Sequence, residues 1–138
     1  SQGARTRALA EFMLTSRFGD PSRVTDKLID QWYEMWMREG QRAAILARLR
    51  SYSSADIVKV TAAIRVPTLI LWGEENPQAP VEQAAELRQM LGSAPGVTII
   101  TYPGVGHMAA EEAGPAIAKD IQTWLAAPTV RQKESVPP

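Results

Sequence analysis

Residues 64–80 read IRVPTLILWGEENPQAP, and this stretch decides the fold class. Residues 68–72 within it form a continuous apolar run without alternation, bounded by Pro67 and Gly73. Such a run is typical of a strand that helices cover on both faces. Pro67 fits the strand entrance, where its missing N–H removes no ladder bond, and Gly73 lets the chain turn at the carboxyl end. The stretch predicts a central strand of a parallel sheet, and open α/β sheets build their sites at the carboxyl ends of such strands.

A second strand and a connecting helix follow. Residues 97–102 read VTIITY, a composition rich in β-branched residues that predicts a strand. Between the strands, Pro80 fits the first helical position and Gly92 ends the helix. The buried face of this helix is predicted to hold Ala84, Ala85, Leu87 and Leu91. A strand–helix–strand unit of this length gives a right-handed parallel crossover. The fold class is therefore α/β.

Three helices are predicted in the first 50 residues. Residues 8–14 favour a helix, and residues 19–22 (GDPS) end it. Thr25 is a credible N-cap for a second, aromatic-rich helix that Gly40 ends. The third helix covers residues 41–50, and its predicted inward residues are Ala44, Ile45 and Leu49. Residues 53–63 are predicted to hold one more short helix, and the final helix starts at Glu111 and buries Ile117, Ile121, Trp124 and Leu125.

The sequence PGVGH at residues 103–107 follows the second strand, and a Glu-Glu pair stands at 111 and 112. The order of apolar strand, Trp-Gly, acidic pair, turn, proline, helix, second strand and Gly-His resembles the C-terminal half of an α/β-hydrolase. The resemblance covers residues 64–125. It implies a partial α/β-hydrolase fold, in which the three early helices correspond to a helical cap. It also implies hydrolysis of an ester or related acyl bond through a nucleophile–His–acid triad.

The resemblance places the triad histidine at His107, as the general base that takes the proton of the nucleophile. A lone histidine is more often structural or exposed, but the Gly-rich turn after a strand favours the catalytic interpretation. Asn76 stands at the position of the triad acid, where the family usually has Asp. An amide can orient an imidazole but cannot stabilise the imidazolium by charge.

Three explanations for Asn76 stay open: a relocated acid, Glu74 or Glu75 turned inward, or a catalytically silent protein. Solvated loop carboxylates are the simpler interpretation of Glu74 and Glu75. Glu111 and Glu112 are predicted to be helix N-terminal charges. The aromatic helix includes Trp32 and Trp36, which are candidates for substrate binding because cap helices in the family often line the cleft. A stripe at helical spacing is more often core packing.

The nucleophile is missing from this chain. The family places it on a sharp elbow of the G-x-S-x-G type, and no such motif occurs in the sequence. The oxyanion-hole amides belong to the N-terminal half in this family. A serine elbow upstream would indicate an esterase or C–C hydrolase, and an aspartate elbow a dehalogenase or epoxide hydrolase.

The chain has 138 residues, enough for one modest core and too few for a complete α/β-hydrolase. We divide it into a helical cap segment at 1–55, the C-terminal part of the hydrolase core at 56–127 and a disordered tail at 128–138. Two parallel strands leave an apolar edge, so we expect pairing with a missing N-terminal hydrolase half or with another copy. A small-molecule substrate is expected, and this chain by itself is not expected to be active.

Composition excludes several other classes. Lys plus Arg and Asp plus Glu number 15 each, so no basic surface for nucleic acid or an anionic membrane is indicated. Cysteine is absent and there is one histidine, so neither a metal site nor a cofactor is expected. No signal peptide or membrane span is visible, and a cytoplasmic location is expected. The alternative function is a non-catalytic, truncated or degenerate hydrolase half that serves as an interaction or structural module.

Overall fold

The computed structural model describes residues 2–51 and 54–128. Residues 129–138, most of the predicted tail, lie outside the described part. The described chain holds seven helices and two strands. The helices are α1 (Gln2–Thr15), α2 (Asp26–Met37), α3 (Gln41–Arg50), α4 (Ser54–Ala62), α5 (Glu82–Met90), α6 (Ala109–Glu112) and α7 (Gly114–Ala126). The strands are β1 (Thr68–Gly73) and β2 (Val97–Tyr102), and one 3-10 turn spans Pro21–Arg23.

The two strands pair in parallel, as predicted. The register runs from Thr68 opposite Val97 to Gly73 opposite Tyr102. Backbone pairing continues past the strands, because Glu74 N donates to Tyr102 O at 3.1 Å and Glu75 N to Val105 O at 2.9 Å. The loops that leave β1 and β2 are therefore joined to each other where the strands end.

The exposure of β1 differs from the sequence prediction. Only Ile70 and Gly73 are buried, and within the described residues β1 pairs with β2 alone. The predicted central strand is therefore an edge strand here, because no second strand of the described chain pairs with its other edge. An apolar groove of about 490 Å³ lies there; its lining includes Val66, Leu69, Leu71, Ile121 and Trp124. The predicted buried face of α7 is likewise incomplete, since Ile121 and Leu125 are exposed.

The N-terminal helices form a separate small core. Leu28 N donates to Thr25 Oγ1 at 3.2 Å, which confirms the predicted N-cap of α2. Ala10, Leu14, Phe18 and Ile29 are buried between α1 and α2. The inward face predicted for α3 is wrong: Ala44, Ile45 and Leu49 are exposed, Leu49 by 68%. The physical reason is that α3 touches little of the described chain beyond α2, so no surface is available to cover it.

Tyr102 joins the end of β2 to α7, and its ionisation should lower the stability of the fold at high pH. Its hydroxyl donates to Asp120 Oδ2 at 2.8 Å, and burial, helped by this hydrogen bond and the Asp120 charge, raises the pKa of Tyr102 to about 12 from 10.0. The folded pKa lies above the unfolded one, so this stabilisation is complete below about pH 10 and is lost as the pH rises towards 12. We expect wild type to lose more stability than Tyr102→Phe between pH 9 and 11.5, measured by urea unfolding. Parallel losses in both proteins would contradict this assignment.

Candidate functional site

The candidate site lies where β1 and β2 end. A cavity of about 210 Å³ opens between the loops that follow the two strands. It brings together Asn76 from the first loop and His107 from the second, the two residues that the resemblance places in the triad. The remaining lining is apolar or glycine: Leu71, Trp72, Gly73, Ala79, Gly106 and Ala109. His107 is exposed, so its imidazole can be reached from outside the described chain.

Two glycines allow the backbones around the site to touch. A Cβ on Gly73 would overlap the carbonyl oxygens of Val105 and Gly106. A Cβ on Gly106 would overlap Arg17 O and Gly19 N. The end of β1, the His107 loop and the segment after α1 are therefore stacked backbone against backbone, which leaves no room for a side chain at either glycine.

Glu112 holds these segments together through its buried carboxylate. The residue is 3% exposed. Its Oε2 accepts hydrogen bonds from Gly19 N at 2.8 Å and Gly106 N at 2.9 Å, and its Oε1 accepts one from Met108 N at 3.2 Å. The carboxylate thus satisfies the backbone amides on both sides of His107.

The sequence prediction for Glu112 missed this role. Both glutamates were predicted to begin the last helix, but they lie in the separate short helix α6, because the chain leaves helical geometry at Ala113 before α7 begins at Gly114. Glu111 is exposed there. Glu112 instead binds an amide that is 93 residues away in the sequence. No local pattern distinguishes the two neighbouring glutamates, so this difference had no signal in the sequence.

The segment after α1 holds the His107 loop from its other side. His107 N donates to Arg17 O at 2.7 Å. The Arg23 guanidinium donates to the carbonyl oxygen of Glu112. The His107 loop is therefore held by contacts with the segment after α1, and His107 and Asn76 line the same cavity.

Asn76 closes its own loop. Its Oδ1 accepts hydrogen bonds from Gln78 N at 3.0 Å and Ala79 N at 3.2 Å, the arrangement of an Asx turn. Trp72 Nε1 donates to Ala79 O at 3.0 Å and anchors the far end of the loop to β1. The side chain oxygen of Asn76 is thus engaged by backbone donors.

The other carboxylate candidates are placed outside the cavity. Glu74 accepts a hydrogen bond from Thr101 Oγ1 at 2.7 Å, and both Glu74 and Glu75 are exposed. Neither lines the cavity that holds His107. Serine is also absent from that lining in the described part of the chain.

The two tryptophans predicted as candidates for substrate binding lie away from this cavity. Trp32 and Trp36 pack edge to face with ring centroids 5.9 Å apart and contact the core of α1 and α2. Trp36 also lines a cavity of about 560 Å³ between α2 and α3. The structure does not bring either ring to the lining of the His107 cavity.

Residues 2–51 and 54–128 contain neither a metal-binding cluster of side chains nor a helix that could cross a membrane. No group of three or more His, Asp or Glu side chains in this part could hold a metal ion. No helix in it combines the length and the apolarity that a bilayer crossing needs.

The parallel strands, their crossover helix and the histidine loop at the carboxyl ends define an α/β-hydrolase fold, here a partial one. The chain belongs to the TAP-like protein family of this superfamily, which it matches over residues 40–137.

Similar proteins and a similar crystal structure support the assignment to the α/β-hydrolases. The chain is 33% identical over 84 residues to a non-heme chloroperoxidase of Burkholderia pyrrocinia, an alignment that covers 61% of this chain and 29% of that protein. It is 44% identical over 68 residues to acyl-protein thioesterase 1 of Gibberella zeae, covering 46% of this chain and 28% of that protein. The crystal structure of Cfl2 from Burkholderia cenocepacia superposes with a TM-score of 0.68 at 25% identity, covering 88% of this chain and 41% of that one. The chain thus spans less than half of each of these proteins.

Proposed function

We propose that this chain supplies the histidine-bearing part of a hydrolase that cleaves an ester or related acyl bond. His107 acts in it as the general base and general acid, and the nucleophile comes from outside this chain. The observation that carries the proposal is the geometry at the ends of β1 and β2, where His107 and Asn76 line one cavity. The anchoring of the His107 backbone by Glu112 and Arg17 supports it, because a general base needs a fixed position.

The relatives support the same reaction class at a coarser level. One of them is named as an acyl-protein thioesterase, an enzyme of acyl-bond hydrolysis. The apolar lining of the His107 cavity suits an uncharged acyl or ester substrate, since apolar pockets exclude water and favour apolar groups.

The nucleophile has to reach His107 from a neighbouring segment. The cavity lining contains no Ser, Asp or Cys in the described part of the chain, and His107 is exposed on that side. An exposed imidazole next to an open cavity is accessible to a nucleophile on an added strand–helix turn, which is where the fold usually carries one.

We expect the isolated chain not to hydrolyse a p-nitrophenyl ester above the rate in buffer. A longer protein that joins this chain to a nucleophile-bearing segment should hydrolyse the ester, and His107→Ala should abolish that turnover. Gln78→Glu, which changes an exposed loop residue outside the cavity lining, is the control that should retain it. Turnover by the isolated chain that disappears in His107→Ala would show that a nucleophile lies within these residues. It would overturn the proposal that the nucleophile comes from outside this chain.

The partner of this chain is proposed to be the rest of a hydrolase sheet. β1 pairs on one side only within the described residues, and the apolar groove beside its free side includes Leu69, Leu71 and Trp124. An unpaired strand next to an exposed apolar surface is a template for a further strand. The aligned parts make up 29% of the chloroperoxidase and 41% of Cfl2, so each of these proteins holds further chain outside the alignment.

The same apolar surface beside β1 should make the isolated chain associate with itself. We expect sedimentation velocity to show a concentration-dependent dimer or larger species, and Leu69→Lys to shift it towards monomer by placing a charge beside the free strand. A matched change on α3, Leu49→Lys, should shift it much less. A compact monomer of the unmodified chain at all concentrations would contradict this expectation.

The non-catalytic interpretation has one observation in its favour. Asn76 replaces the expected acid, and its oxygen is bound by the amides of its own loop. A joined protein with an intact nucleophile and no turnover, either as it is or with Asn76→Asp, would favour an interaction module over an enzyme.

A further inference from the structure

We propose that Gly19 and Arg23 are positioning residues for His107. Both lie between α1 and α2, and both bind Glu112, whose carboxylate accepts hydrogen bonds from the amides on either side of the histidine. The role of His107 as the general base rests on the proposed function, whereas these contacts belong to the structure of the chain. The N-terminal helices, which the sequence resemblance assigns to a cap, therefore also help to place the base.

Gly19 lies directly against the histidine loop. A Cβ at this position would stand 2.5 Å from Gly104 O and 2.9 Å from Gly106 N, too close for either atom to stay in place. The Gly19 amide donates to Glu112 Oε2 at 2.8 Å, and the same oxygen accepts from Gly106 N at 2.9 Å. One carboxylate oxygen therefore joins the N-terminal segment to the residue that precedes His107, and glycine permits this close approach.

Arg23 holds Glu112 by its main chain. The Arg23 guanidinium donates to the carbonyl oxygen of Glu112, the last residue of α6. The 3-10 turn that carries Arg23 is itself ordered, because Asp20 Oδ1 accepts from the amide and the hydroxyl of Ser22 at 3.0 and 2.6 Å. The segment between α1 and α2 thus holds Glu112 both at its side chain and at its backbone.

The residue that follows His107 is held by the same part of the chain. Met108 packs against the core of α1 and α2, in which Leu14 and Phe18 are 1% and 5% exposed. Val105, two residues before the histidine, belongs instead to the core of β2 and α7. His107 therefore stands where two separate cores meet, and its neighbours in the chain are fixed to both of them. A displacement of the N-terminal helices should move the histidine with them.

Placement of this kind affects the rate of reaction. A general base must meet the proton of the nucleophile at hydrogen-bond distance, so a small shift of its loop lowers kcat more than it weakens substrate binding. Neither Gly19 nor Arg23 lines the His107 cavity. Their effect on the base must therefore act through the loop.

The first test uses this chain, in which a ¹⁵N-histidine label gives one backbone amide signal because there is one histidine. Amide hydrogen exchange, followed by NMR, reports how firmly His107 N is held on Arg17 O, its acceptor at 2.7 Å. Gly19→Ala and Arg23→Met should each speed this exchange about ten-fold, the effect of weakening a hydrogen bond that closes a loop. Gly96→Ala is the control and should leave it unchanged, because a Cβ at Gly96 meets nothing within 4 Å.

Unchanged exchange at His107 in either variant would overturn the assignment of the residue replaced. Arg23 is exposed, so Arg23→Met keeps the test decisive if Gly19→Ala does not fold.

The second test separates positioning from a purely structural role, in a protein that joins this chain to a nucleophile. Arg23→Met should lower kcat for ester hydrolysis about ten-fold with little change in KM, and Arg23→Lys, which retains a donor, should recover most of the loss. Ala84→Gly weakens the buried side of α5, away from the loop, and should leave kcat unchanged.

An equal fall of kcat in Arg23→Met and Ala84→Gly would show that lost stability alone explains the effect, and would overturn the inference for Arg23. Failure of Arg23→Lys to recover kcat would contradict it as well. A joined wild type without turnover would refute the proposed function instead, and exchange at His107 would still decide whether Gly19 and Arg23 hold this residue in place.

Discussion

Replacing Glu112 with alanine is expected to lower the free energy of unfolding by about 3–5 kcal/mol, as measured by urea denaturation. The change removes the acceptor of three backbone amides, those of Gly19, Gly106 and Met108. Glu112 is 3% exposed, so water cannot easily replace the lost acceptor. Each unsatisfied buried donor costs about 1–3 kcal/mol, and the expected total lies within the sum of three such losses.

Glu111→Ala is the matched control for this prediction. It deletes the same side chain one position earlier in the same helix, where the residue is exposed. Its effect should stay below about 1 kcal/mol, the size of a helix-terminus charge. Glu112→Gln should fall between the two, because one amide oxygen can replace only one of the two carboxylate oxygens. Equal losses in Glu111→Ala and Glu112→Ala would show that the buried carboxylate does not hold the loop.

Glu112 should also matter for His107. The amides it binds belong to Gly106 and Met108, the two neighbours of His107 in the chain. Loss of these bonds frees the histidine backbone, so in a joined, active protein Glu112→Gln should lower kcat more than it raises KM. The reason is that the position of the general base matters mainly in the transition state.

Asn76→Asp is expected to raise kcat for ester hydrolysis at least about ten-fold in a protein that joins this chain to a nucleophile. The reverse change in a serine-protease triad lowers kcat about 10⁴-fold, because the imidazole is held in the wrong tautomer. In this chain the loop amides of Gln78 and Ala79 occupy the oxygen of Asn76. Aspartate would supply a second oxygen for His107 and a charge that stabilises the imidazolium, so the gain should appear mainly in kcat.

The measurement separates two accounts of position 76, an impaired triad and a relocated acid. A rise in kcat supports an impaired triad. A neutral or harmful effect, together with loss of turnover when another carboxylate is replaced, would indicate a relocated acid and would contradict the impaired-triad account. Gln78→Glu is again the control, because it adds equal charge nearby without an oxygen at 76. Glu74 and Glu75 are poor candidates for the relocated acid, since neither lines the His107 cavity.

The sequence alone predicted the elements that carry the site. The apolar run ending at Gly73 and the β-branched run ending at Tyr102 became β1 and β2, paired in parallel as expected. Thr25 caps α2 as predicted. These predictions succeeded because strand pattern, capping and crossover geometry depend on residues that are close in sequence. The positions of His107 and Asn76 at the strand ends followed from the same elements.

Exposure was predicted less well. Leu49 in α3 and Leu125 in α7 are apolar residues at helical spacing, and both are exposed in the described structure. Periodicity identifies the face that a helix prefers to bury, but it does not say whether a covering surface is present in the same chain. The free side of β1 has the same explanation.

The identity of the strands, the crossover and the histidine loop was thus determined by the sequence, whereas the roles of particular polar groups were decided by the tertiary structure. Glu112 reaches an amide 93 residues away, and Gly106 lies against the backbone of Arg17 and Gly19. The amide of Asn76 is oriented by the way its loop closes. A hydrogen bond depends on where donors and acceptors meet in space, and the distance between them along the chain carries no information about that meeting.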